Sequence, residues 1–262
     1  MAKLPLENIN FAVKIRKMKA MIFAAGYGSR LRPLTDVCPK ALLEVGGVPL
    51  LLRVLRNLLV LHPSEVVVNV HHLGDMIADA LLSWGEIGAS VRVSYERDAL
   101  LDTGGGLLRA FSVSECEWVL AHNVDILSNA DLDVLCGAAS DQDAVLLVSD
   151  RISNRRLLFD EDMRMVGWTN VKTGEVRSPY GNIDVSSLHS LAFSGIQIIG
   201  PGAFRAMEGW PERFGIMDFY IHQCGRLRIK GIVQENLRLL DVGKPESLHS
   251  AVDFLRGLGK DV

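Results

Sequence analysis

Short apolar runs alternate with helical patterns from the first strand onward, and that alternation limits this chain to one broad architecture. Lys19–Ala24 (KAMIFA) is a strand-like run that ends in a glycine-containing loop. Pro49–Val60 follows as a helical pattern, Glu65–Val70 (EVVVNV) as a β-branched strand, Asp75–Trp84 as a helix and Ser90–Tyr95 (SVRVSY) as a strand. Gly106–Phe111 reads as a short helix, and Glu117–His122 and Asp143–Ser149 as strands of the buried type. Strands and helices at this spacing predict an α/β fold: a doubly wound, mostly parallel (mixed) sheet with helices on both faces, Rossmann-like in organisation. Ligands of such sheets sit beyond the carboxyl ends of the strands. The loops after Ala24, Tyr95 and His122 are therefore where chemistry is expected.

The second half is less regular. Leu157–Phe159 and Met165–Trp168 read as a hairpin, Leu191–Ile199 as a strand and Met217–Cys224 as a helix. Leu227–Val233 and Leu237–Leu240 read as strands, and Pro245–Arg256 as a closing helix. No composition break or Ser/Pro-rich linker separates the halves. Residues 18–262 are expected to form one domain with two functional halves, about 18–125 and 126–262, and residues 1–17 a short extension before the strand that Met18 opens.

Composition removes several classes of function. With 48% hydrophobic and 23% charged residues, the chain can bury a core and is not a disordered segment. Its net charge is −3 and no basic run occurs beyond the first residues, so no nucleic-acid partner is expected. Anionic ligands must be held by a few placed groups. Cys38, Cys116, Cys136 and Cys224 form no C-x-x-C pair, which argues for reduced thiols in a cytoplasmic protein rather than disulfides or a zinc site. No stretch reaches the roughly 18 apolar residues of a membrane span, so no membrane partner is expected either.

The densest motif is Ala24-Ala25-Gly26-Tyr27-Gly28-Ser29-Arg30-Leu31-Arg32-Pro33-Leu34-Thr35, followed by Pro39-Lys40-Ala41-Leu42. A glycine turn directly after a strand lets backbone N–H groups approach phosphate oxygens with no Cβ in the way. Arg30 and Lys40 supply fixed positive charge, one as a planar fork and one as a mobile point charge. A dinucleotide fingerprint would need a third glycine where Leu31 stands, and a Walker loop would need Gly-Lys-Ser/Thr. Two carboxylates stand out as well. Asp125 in His122-Asn123-Val124-Asp125 and Asp241 in Leu240-Asp241-Val242-Gly243 each follow an apolar strand, where a hard cation would find carboxylate oxygen. Asp131 is read instead as the cap of the next helix. His71 and His72, adjacent on a strand, point to opposite faces and are read as strand-end packing.

The string G-x-G-S-R-L-R-P-L-T-x-x-x-P-K-A-L resembles the signature of the nucleotidyltransferases that make nucleoside-diphosphate sugars, and the resemblance runs from Met18 to about Leu255. It implies that Ala24, Ala25, Gly26, Gly28 and Ser29 wrap a nucleoside triphosphate and that Arg30 and Lys40 are catalytic, neutralising it. It implies base contacts at Thr103 and Gly104, in the turn Asp102-Thr103-Gly104-Gly105-Gly106, where three glycines also leave room for a flat group. Asn123 joins the nucleotide contacts, and Asp125 and Asp241 become ligands of Mg2+. The family usually has Gly-Asp where this chain has Val124-Asp125, and some uridylyl and thymidylyl relatives carry glutamine where Leu100 stands.

In the second half the resemblance places Ser194 and Gly195 under the sugar, with Trp168 as a stacking face. Arg151, Arg155 and Arg156 form a basic loop able to reach a phosphate or carboxylate, Arg155 being the chosen contact. Within the family the short chain looks most like the N-acetylmuramate 1-phosphate uridylyltransferases. Mannose- or heptose-1-phosphate guanylyltransferases are the near alternative, choline-phosphate cytidylyltransferases a more distant one, and a catalytically silent nucleotide-sugar sensor a different class. The expected partners are thus a nucleoside triphosphate and a sugar 1-phosphate, with oligomeric state left open.

Overall fold

A computed structural model of the chain describes residues 18–111, 113 and 118–259. The expected extension over residues 1–17, and the first residue of the strand read from Glu117, lie outside the described residues. The strands in chain order are β1 (Lys19–Phe23), β2 (Glu44–Val45), β3 (Val48–Pro49), β4 (Glu65–Val70), β5 (Val91–Tyr95), β6 (Val119–Asn123) and β7 (Ile126–Ser128). They continue as β8 (Ala144–Ser149), β9 (Arg155–Phe159), β10 (Met165–Asn170), β11 (Glu175–Arg177), β12 (His189–Ile199), β13 (Ile229–Val233) and β14 (Leu239–Asp241).

Ten of these strands form one sheet in the order β11-β10-β9-β12-β6-β1-β4-β5, with β8 joined to β12 and β13 to β8. Strands β1, β4, β5 and β6 run parallel. The chain steps from β1 to β4 and β5 on one side, then returns to lay β6 on the other side of β1. That reversal opens a crevice at the carboxyl ends of β1 and β6. Phe23 and Asn123 are register partners there, so the glycine loop and the Asn123–Asp125 turn leave the sheet side by side. The second half is more antiparallel than the alternation suggests: β12 runs against β6, β8 and β9, and only β13 on β8 is parallel.

Alternation along β1 assigns the two faces. Ala20 and Ile22 pack with Leu51, Val54, Leu55 and Leu58 of the helix Leu50–Leu59, a spacing that gives one apolar stripe. Met21 and Phe23 pack on the opposite face with Leu107 and Ala110 of the helix Asp102–Ala110 and with Phe219 and Tyr220. Each large apolar side chain so buried is worth about 1.5–3 kcal/mol. A third cluster joins Val45, Leu50, Leu127, Val242, Ala251 and Leu255. It docks the closing helix Pro245–Gly257 so that β14 pairs antiparallel with β7. Strand β7 escapes the sequence reading because it is three residues long.

Candidate active site

The phosphate loop is built by side chains that come after it. Gly28 sits at φ 63°, in the left-handed region, and a Cβ there would lie 2.8 Å from Thr35 Cγ2. Buried Thr35 donates its hydroxyl to the Gly28 carbonyl at 2.9 Å, which stitches the loop to the turn that follows. His72 bonds the Thr35 carbonyl at 3.1 Å, and His71 bonds the Tyr27 hydroxyl at 2.8 Å. The two histidines expected to be strand-end packing thus brace the loop from β4. Gly26 differs: it lines the crevice, and a Cβ there would meet nothing within 4 Å.

That crevice is a cavity of about 210 Å³ lined by Phe23, Ala24, Ala25, Gly26, Lys40, Asn69, Leu100, Asp102, Thr103 and the Asn123–Asp125 turn. It gathers most of the residues expected to touch a nucleotide. Ala24 lines it, but its N–H is already donated to Asn69 Oδ1 at 2.9 Å, so amides further along the loop are the ones open to a ligand. Ser29 is exposed on the loop and does not line this cavity.

The three-glycine turn corrects the expectation. It lies inside the helix Asp102–Ala110, which starts earlier than Gly106, and all three glycines are buried against protein. A Cβ on Gly104 would lie 2.2 Å from the Phe214 ring, one on Gly105 2.1 Å from the Glu212 carbonyl, and one on Gly106 2.6 Å from Glu96 Oε1. The Gly104 N–H donates to the Phe214 carbonyl at 2.9 Å, so it is not a free donor for a base. Thr103 does face the cavity, and its hydroxyl oxygen accepts from the Ile216 N–H at 2.9 Å.

Two residues that the sequence reading passed over hold this side together. Glu96, 1% exposed, accepts from Asn69 Nδ2 at 2.7 Å and from the Leu101 N–H at 2.8 Å. With the Asn69–Ala24 bond this makes one chain of hydrogen bonds from the phosphate loop to the start of the glycine helix. The available signal was an acid directly past the carboxyl end of the parallel edge strand β5, beyond Tyr95.

Asp125 and Asp241 come together through backbone. The Asp241 position pairs with Ile126 in the β7–β14 ladder, and the Val242 N–H donates to the Asp125 carbonyl at 2.8 Å. Asp125 is ion-paired with Lys40. Burial pushes the Asp241 carboxyl above the usual carboxylate range and the Asp125 charge adds to the rise, while Lys40, Arg30 and Arg151 pull it back. Asp241 Oδ1 is buried and has no hydrogen-bond partner among the described residues. An unpartnered carboxylate oxygen beside a second carboxylate fits a hard cation, which is commonly held by one or two carboxylates plus substrate phosphates. Asp131 caps the helix Leu132–Gly137 as expected, accepting from the Val134 N–H.

Arg30 does not face the nucleotide cavity. Its guanidinium lies beside Asp241, and a Cβ on Gly243 would be 2.7 Å from Arg30 Nη2. It helps line a second cavity of about 680 Å³, together with Arg151, Arg155, Trp168, Phe193 and Asp241. Arg177 stacks over the Trp168 ring at 5.8 Å and pairs with Asp218 at 2.9 Å on the same wall. Arg155 and Trp168 are thus where a sugar contact was expected. Ser194 is not: it is fully buried, and its hydroxyl bonds Ser149 Oγ at 3.4 Å. Gly195 lies at φ 79° and a Cβ there would also crowd Ile126 and Asn123, so it serves backbone and packing and does not line the cavity. Arg156 is turned away, bonded to Asp150 and to the Ser190 carbonyl.

The family model for MobA-like NTP transferase domains matches residues 20–174. Over 198 residues the chain is 32% identical to the N-acetylmuramate alpha-1-phosphate uridylyltransferase of Neisseria meningitidis, covering 73% of this chain and 79% of that protein. Over 234 residues it is 30% identical to the protein of the same name from Caulobacter vibrioides, covering 87% and 93%. Among solved structures, the inositol-1-phosphate CTP transferase from T. maritima shares the fold with a TM-score of 0.71 over 94% of this chain and 98% of that chain, at 18% identity.

Proposed function

This chain belongs to the MobA-like NTP transferase family and is a nucleotidyltransferase; from that premise we propose that it joins UTP to N-acetylmuramate 1-phosphate and releases pyrophosphate. The observation that carries the reading is the placement of Asp125, Asp241, Lys40 and Arg30 between two cavities, one under the glycine loop and one lined by arginines. The first would take the nucleotide and the second the sugar, so the two phosphates meet at the carboxylates.

The reaction asks for positioning and charge stabilisation, since a phosphate monoester is already ionised at neutral pH and needs no general base. Asp125 and Asp241 would hold a magnesium ion, the expected cofactor. When bound, that ion would offset the repulsion between the two phosphates. Lys40 is paired with Asp125, and its ammonium would exchange that partner for a triphosphate oxygen once the carboxylate has another cation. Arg30 beside Asp241 stabilises charge from the opposite side. Open amides after Ala24 would hold the departing pyrophosphate oxygens.

N-acetylmuramate carries a lactyl carboxylate. Arg155 is exposed to the second cavity, and its guanidinium takes no ion pair among the described residues, so it is the group proposed to meet that carboxylate. Trp168 on the same wall offers an apolar face for the sugar ring. We also infer a cytoplasmic location: Cys38, Cys136 and Cys224 are free thiols, as a reducing compartment leaves them. No helix among the described residues is long and apolar enough to cross a membrane.

A pyrophosphate-release screen of four triphosphates against a panel of sugar 1-phosphates tests the pair. UTP with N-acetylmuramate 1-phosphate should give the highest kcat/KM. Arg155→Ala should raise KM for that sugar far more than for N-acetylglucosamine 1-phosphate, which lacks the carboxylate. GTP with mannose or heptose 1-phosphate as the best pair would overturn the substrate reading and leave the reaction class standing.

A further inference from the structure

We propose that Arg151 grips the phosphate of the incoming sugar 1-phosphate and holds it against the Asp241 side of the site. The proposal rests on the nucleotidyltransferase reading above and assigns a residue within the second cavity.

Arg151 stands two residues beyond β8, on the wall that also carries Arg30 and Asp241. It is not a surface arginine. Its Nη2 donates to the Phe193 carbonyl at 2.9 Å, which fixes the plane of the guanidinium. Its Nε is buried and has no hydrogen-bond acceptor among the described residues. A buried charged donor left unpaired is expensive, so the arrangement makes sense when an anion arrives. The other arginines around this cavity are differently employed. Arg30 lies beside Asp241, Arg177 pairs with Asp218 and Arg155 is exposed, while Arg156, tied to Asp150 and Ser190, lies off the cavity.

The chemistry of the anion follows from a pair of orphans. Arg151 Nε is a donor without an acceptor and Asp241 Oδ1 an acceptor without a donor, both buried, on two residues that line one cavity. They do not bond each other, although the Arg151 charge acts on the Asp241 carboxyl. A lone carboxylate ligand would satisfy the arginine and repel the aspartate. A phosphate that arrives with a divalent cation satisfies both, the cation meeting Asp241 and the phosphate oxygens meeting the planar fork. Arg151 is thus suited to the reacting end of the sugar, and Arg155 to the substituent.

A binding cycle tests this. Calorimetry with magnesium present would compare N-acetylmuramate 1-phosphate with unphosphorylated N-acetylmuramate, on wild type and on Arg151→Gln. The phosphate should tighten wild-type binding by roughly 10- to 150-fold, as one charge-assisted contact would. That advantage should largely vanish in Arg151→Gln, with UTP affinity changed less than about twofold, which also reports an intact fold. Should Arg151→Gln not fold, Arg151→Lys, which keeps charge and loses the fork, should lose part of the same advantage. An equal loss for both sugars, or an undiminished phosphate advantage, would overturn the role of Arg151 alone. Wild-type protein that binds neither sugar, while turning over another sugar 1-phosphate in the screen, would overturn the muramate reading. The same cycle with that other pair of sugars would then decide for or against Arg151.

Discussion

Gly26→Ala should separate stability from activity. A Cβ at Gly26 meets nothing within 4 Å, and its φ is outside the left-handed region that penalises side chains. Alanine therefore fits the folded chain and lowers only the freedom of the unfolded one, a gain of about 0.4–1 kcal/mol. For a chain of this size that is a rise in Tm of about 1–4 °C. Gly26 lines the cavity under the glycine loop, so a methyl group in the open space over it would compete with a phosphate approaching the loop amides. Loss of one charge-assisted hydrogen bond, about 1.5–3 kcal/mol, should lower kcat/KM for the triphosphate by roughly 10- to 150-fold. Gly28→Ala is the contrast. Its φ of 63° costs about 1–2 kcal/mol for a side chain, and its Cβ would press on Thr35 Cγ2 at 2.8 Å, so both Tm and activity should fall. Thermal melts and a pyrophosphate-release assay read both numbers. Wild-type kcat/KM in Gly26→Ala would show that the empty space over Gly26 is not where phosphate lies, and a lowered Tm would show that the space is not free in the folded chain.

Asp125→Asn should cost at least about 100-fold in turnover at saturating magnesium, with triphosphate binding weakened less, because the loss falls on transition-state charge. Asp241→Asn should raise Tm at pH 7 without divalent cation. The fold holds the Asp241 proton more tightly than the unfolded chain does, so its ionised form opposes folding, and the gain should fade as pH falls through the raised pKa. Magnesium should reverse that order by stabilising wild type alone; a melt series with and without the ion checks both statements. Gly104→Ala drives a methyl to 2.2 Å from the Phe214 ring and should cost about 1–3 kcal/mol, seen as a lower Tm with no recovery by nucleotide.

The strands and helices of the first half were legible because each is a local pattern, and so was the crevice, since strand order reverses between β1 and β6. The two aspartates were legible as acids after apolar strands. Their meeting depends on the short β7–β14 ladder, which has too few residues to show a period. The glycine turn was misjudged for a related reason. Its neighbours are Glu212 and Phe214, over a hundred positions away in sequence, so the need for small residues there read as room for a ligand. Ser194 follows Phe193, which lines the second cavity, and alternation along β12 turns the serine to the other face. Arg30 was identified by type, but its place beside Asp241 was not legible, since an exposed arginine's reach depends on which carboxylate lies nearest.

The second carboxylate of the pair comes from far along the chain. Asp241 reaches Asp125 only when β14 pairs with β7 and the helix Pro245–Gly257 caps the third apolar cluster. During synthesis the parallel strands and phosphate loop emerge long before that second carboxylate. A nascent chain could shape a pocket for a triphosphate and still lack half of its acidic pair. The acidic pair is complete only once β14 has docked on β7.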